Sequence, residues 1–124
     1  MAKAIHNDVY DAALDKIATS TRITFTSAEP ANYAGIAAVA LIDVTTTAGD
    51  GNGDFTIADG DASGRKLTVA AQSGMAVDTS GTVTHACLDD GTTLLAVTTV
   101  TSQAVTTGQT WDSPAFDIEL ADPS

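Results

Sequence analysis

Short runs of alternating apolar and polar residues, each closed by glycine, proline or aspartate, recur along most of this chain. Such alternation places one set of side chains on each face of a pleated strand, and turn residues between runs allow the strands to return antiparallel. Arg22 to Thr26 alternates cleanly and stops before Glu29-Pro30. Val39 to Thr46 reads as a second strand, expected to be buried on both faces. Phe55 to Ile57 is a short strand ended by Asp59-Gly60-Asp61, and Arg65 to Ala71 follows with Leu67, Val69 and Ala71 on one face, ended by Ser73-Gly74. After Gly81, the pattern puts Val83, His85 and Cys87 on one side and Thr84, Ala86 and Leu88 on the other. Asp89-Asp90-Gly91 is a hairpin signal, and Thr92 to Val100 forms the return strand. Val105 to Trp111 and Ala115 to Leu120 complete the series. Strands about every 8–12 residues predict a mainly β fold, an antiparallel β-sandwich or barrel-like domain.

One segment departs from this period. His6-Asn7-Asp8 offers capping side chains, and Val9, Ala12, Ala13 and Ile17 recur at helical spacing, predicting a helix from about Asn7 to Ala18. Ala31 to Ala38 allows a short helical turn after Pro30. With 124 residues the chain is expected to be one domain, with an arm and helix over 1–20, a β-sandwich over 21–120 and a tail over 121–124. Threonine supplies about one residue in six and alanine is as common, which suits a packed β-shell more than a helical enzyme.

Charge narrows the partners. Sixteen acidic and five basic residues give a net charge of −11. Only Arg65-Lys66 places two bases together, so neither nucleic acid nor an anionic membrane surface is an expected partner. A single cysteine, Cys87, forms no internal disulfide. The chain has no signal-peptide pattern and no long apolar span, so synthesis in a cytoplasm is expected.

Chemistry-bearing patterns are sparse. Asp50, Asn52 and Asp54 begin like an EF-hand loop, with oxygen ligands at alternate positions. The match fails at Phe55, where that loop requires glycine, and at Asp61 in place of the final glutamate. A turn is expected there, with a cation site as the alternative reading. His6 and His85 lack evident co-ligands, and structural roles are expected for both. No nucleophile elbow, phosphate loop or dinucleotide fingerprint occurs, so no catalytic residue and no cofactor is expected. Ile5, His6, Tyr10 and Trp111 are the candidate interface residues, Trp111 being read as a core or interface anchor.

Phe55 to Val69 resembles a stretch of small structural proteins encoded in tailed-phage morphogenesis regions. Ile5 to Val9, Thr82 to Ala86, Leu94 to Thr99 and Pro114 to Leu120 resemble the same family, so the likeness covers most of the chain. It implies a non-enzymatic virion component on the capsid exterior: a decoration or cement protein that bridges major capsid subunits, as a homo-oligomer with a trimer favoured. The arm Met1 to His6, the helix, the loop Ala48 to Asp54 and the tail Ala121 to Ser124 are the contact elements expected on that reading. A neck, tail or fibre-attachment component is one alternative, and a small calcium- or carbohydrate-binding β-module is another.

Overall fold

The computed structural model describes residues 5–122. Helix α1 spans Asn7–Ile17 and is followed by β1 at Arg22–Thr26. A 3-10 turn at Tyr33–Gly35 runs into the short α2, Ile36–Val39, and then β2, Ala40–Thr45. Seven strands complete the fold: β3 (Phe55–Asp59), β4 (Arg65–Val69), β5 (Gln72–Ala76), β6 (Gly81–Asp89), β7 (Leu94–Val105), β8 (Thr110–Ser113) and β9 (Phe116–Leu120). The fold is mainly β with one N-terminal helix of substance, as the sequence predicts.

The strands form a four-stranded sheet in the order β2-β1-β6-β7, a three-stranded sheet β3-β4-β9 and the pair β5-β8. All pairings between these strands are antiparallel. Register explains the core. In the larger sheet, Val44, Ile23, Leu88 and Ala96 form one cross-strand row, and Ile42, Phe25, Ala86 and Thr98 form the next. In the smaller sheet, Ile57, Leu67 and Ile118 align, as do Phe55, Val69 and Phe116. The apolar residues of these rows join one cluster with Leu14 and Ala18 at the end of α1. Both sheets thus turn their apolar faces to a shared core in a sandwich-like arrangement, the burial that antiparallel sheets need for stability.

Several sequence expectations are corrected. The buried side of α1 is Tyr10 and Leu14, continued by half-buried Ile17, whereas Val9 is 60% exposed and Ala12 and Ala13 face outward. The bulkier Tyr10 and Leu14 fill space that the alanines cannot, which rotates the helix relative to the predicted stripe. β2 is an edge strand with one wet face, since Asp43 and Thr45 are exposed. β5 includes the Ser73-Gly74 pair expected to end a strand. Gly74 there has φ +66° and donates its N–H to Asp112 Oδ1 at 2.7 Å, so a bulge absorbs the turn signal.

Val83 lies in the core with Ala86 and Leu88, not with His85 and Cys87. The ladder to β7 shifts between Val83 and His85, opposite Val100–Ser102, and the shift reverses the alternation. Finally, Val105 closes β7 instead of opening a strand to Trp111. Thr106–Gln109 is a turn, with Gly108 at φ +89° and Gln109 N–H bonded to Thr106 O at 3.1 Å.

The outer face of the larger sheet is partly covered too. Thr24 and Cys87 sit side by side there, and α2 packs on β1 with Ile36 buried.

Candidate interaction surface

The Asp50–Asp54 loop uses its side chains to hold itself. Asp50 Oδ1 accepts from Ile57 N–H at 2.9 Å. Asp54 Oδ2 accepts from Thr47 N–H at 2.7 Å, while its Oδ1 accepts from the Gln72 amide at 3.1 Å. Asn52 donates to Ala48 O at 2.8 Å. These contacts satisfy the Thr47 N–H, the Ala48 carbonyl and the Ile57 N–H of β3 with side chains of the loop. Among the described residues, no group of three or more His, Cys, Asp or Glu side chains is placed to hold a metal ion.

The four interface candidates are dispersed. His6 caps α1, its Nδ1 accepting from Asp8 N–H at 3.1 Å. Tyr10 is buried, and its hydroxyl lies 3.0 Å from both Ala121 O and Asp122 Oδ1. Burial and the Asp122 carboxylate push this phenol above its usual range. Tyr10 therefore fastens α1 to Ala121 and Asp122. Ile5 is exposed. Met1–Ala4 and Pro123–Ser124, the outer parts of the two proposed arms, lie outside the described residues.

Trp111 is half-buried on β8. Its ring stands edge-on to Phe25, with centroids 4.9 Å apart and planes at 79°, a favourable aromatic geometry. Around this pair opens a cleft of about 240 Å³, with Val100, Trp111 and Phe116 on its walls and Phe25 at its buried base. The cleft lies between β7 of one sheet and β9 of the other. It is an apolar opening of the sandwich, and its walls are partly wet because no strand among the described residues bridges that side.

Sequence reading identifies Trp111 but misses the cleft. Phe25, Val100 and Phe116 are far apart in the chain, and each reads singly as an ordinary strand residue.

The acidic side chains have structural work. Arg22 pairs with Asp89 at 3.0 Å, Arg65 with Asp11 and Asp59 at 2.8 Å each, and Lys66 with Asp61 at 2.7 Å and Asp117 at 3.5 Å. Asp11 and Asp59 hold the Arg65 guanidinium above its usual range, and Asp61 does the same for Lys66. Cys87 is buried, which raises its thiol pKa and keeps it in the unreactive thiol form.

No family model matches the chain, and no curated protein or solved structure does either.

Proposed function

We propose that this chain is a non-enzymatic structural subunit of a tailed-phage particle, a decoration or cement protein on the capsid exterior that bridges major capsid subunits. The observation that carries this reading is where the acids lie. Asp50, Asp54, Asp59, Asp61, Asp89 and Asp90 all sit in or beside turns at strand ends, where they brace loops or pair with bases. They do not converge on a pocket, as paired catalytic carboxylates must. An acidic exterior also suits a face turned away from packaged DNA. The resemblance of Phe55 to Val69 and Pro114 to Leu120 to phage structural proteins supports the same reading.

The mechanism is clamping. Each copy buries surface on more than one shell subunit, so expansion of the shell must break several contacts together. The partner is then another protein of the virion, and protein partners fit the net charge of −11 better than DNA does.

Quantitative mass spectrometry of purified particles tests the proposal. A copy number comparable to the major capsid protein is expected. Absence from the particle, or only a ring's worth of copies, overturns it; the latter places the chain at a neck or tail.

A further inference from the structure

β7 is twelve residues long. It pairs with β6 on one side, and among the described residues no strand pairs with its other side. Unpaired edges are templates for association, and proteins blunt them with lysine, proline, bulges or a covering element. β7 contains neither charge nor proline. From Gly91 to Trp111 no residue is charged, the longest such run in a chain of net charge −11. Two register shifts occur, at Leu95 and across Val100–Ser102, and they leave Ala96–Thr99 as a regular stretch between them.

We propose that β7 is the contact between two copies of this chain, paired antiparallel about a two-fold axis at Thr98. Charge selects a second copy and fixes where it docks. Like-charged chains repel wherever their carboxylates meet. The β7 edge is the long element on which neither copy brings a carboxylate to the other. A two-fold contact uses the same surface twice, so the unpaired backbone groups of one edge are satisfied by those of the other.

Register gives a second reason. With Thr98 facing Thr98 of the second copy, Ala96 of that copy falls opposite Val100, and each of these two residues packs against the core of its own copy. Val100 is at the lip of the cleft formed with Phe25, Trp111 and Phe116. The pairing therefore brings an apolar side chain to an opening that otherwise faces water. It replaces the three-fold assembly expected from the sequence with a two-fold one. The contact is independent of the particle reading, because it concerns only this chain in solution.

Sedimentation of the full chain tests the proposal. At tens of micromolar, the expected mass is twice the 12.5 kDa of one copy. Thr99 and Thr101 are both exposed, and the double variant Thr99→Lys/Thr101→Lys should weaken the dimer about tenfold or more. This variant reduces the net charge from −11 to −11 + 2 = −9, so relief of repulsion alone predicts tighter association. Thr56→Lys/Ser73→Lys carries the same charge change on exposed positions away from β7 and should keep the dimer. Amide exchange on the unaltered chain gives a readout that no variant can confound: protection across Ala96–Thr99 should rise with concentration. A parent mass of one copy or of three overturns the proposal. So does a dimer that survives Thr99→Lys/Thr101→Lys, or protection across Ala96–Thr99 that is flat with concentration.

Discussion

Arg22 and Asp89 face each other across β1 and β6, and Arg22 Nε lies 3.0 Å from Asp89 Oδ2. Asp89 is 1% exposed, and its other oxygen accepts the Gly91 N–H at 3.0 Å. The guanidinium also lies 5.8 Å from the centre of the Tyr33 ring. One ion pair thus joins the first strand of the sheet to the hairpin that launches β7. Removing the base strands a buried carboxylate, which costs more than the pair contributes. Arg22→Met should lower stability by roughly 2–3 kcal/mol in chemical denaturation, and Arg22→Met/Asp89→Asn should recover part of that loss. A single variant within about 0.5 kcal/mol of the parent would show that Asp89 needs no partner.

Thr24 has the opposite problem. Its side chain is buried between Asp43 of β2 and Cys87 of β6, and its hydroxyl oxygen has no hydrogen-bond partner. A buried hydroxyl without a partner pays for lost hydration with nothing in return. Thr24→Val, which keeps the β-branched shape, should raise stability by about 1 kcal/mol. A lower melting temperature would mean that the hydroxyl is satisfied in solution.

Asp90 gives the fold an acid-sensitive turn. One of its oxygens accepts from Thr93 N–H at 2.9 Å and from Thr92 N–H and Oγ1 at 3.0 Å each. The Thr93 and then Thr92 backbone bonds hold this carboxyl below its ordinary value of 3.8. The unfolded chain therefore takes up this proton first as the pH falls. The contribution of Asp90 is present above pH 3.8 and is lost as the pH falls through its lower folded value. Asp90→Asn keeps an acceptor oxygen but cannot ionise. Thermal unfolding across this acidic window should show a shallower loss for Asp90→Asn than for the parent. Parallel profiles would contradict the assignment.

In the Asp50–Asp54 loop, hydrogen bonding and cation binding make different forecasts. Asp54→Ala removes the acceptor for Thr47 N–H and for the Gln72 amide. The expected cost is about 1–2 kcal/mol, equal in calcium and in EDTA. A melting temperature that rises with calcium in the parent, but not in Asp54→Ala, would place a cation in the loop.

Local residue chemistry carried much of the fold. Ile23 and Phe25 alternate with Arg22, Thr24 and Thr26, and that pattern alone makes β1 a strand with an apolar face. Asp90 and Gly91 supply the acceptor and the positive φ (+95°) that the β6–β7 turn requires. The acidity could likewise be assigned to strand ends from the positions of the acids. His6 was legible as a helix cap, and Trp111 as an anchor of some kind.

Other features depend on residues distant in sequence. The choice of Tyr10 over Val9 as the buried helix residue is settled by Ala121 and Asp122, at the far end of the chain. The reversal of faces along β6 comes from extra residues in β7, because a bulge is a property of two strands in register. β5 exists because β8 pairs with it, overriding the glycine in its centre. The sequence by itself determined an acidic antiparallel β fold with an N-terminal helix, since alternation, turn chemistry and charge act within a few residues. Tertiary structure alone decided that β7 is left at a sheet edge and that Phe25, Val100, Trp111 and Phe116 meet beside it. Strand order and register arise from burial shared among distant segments, and no local pattern encodes them.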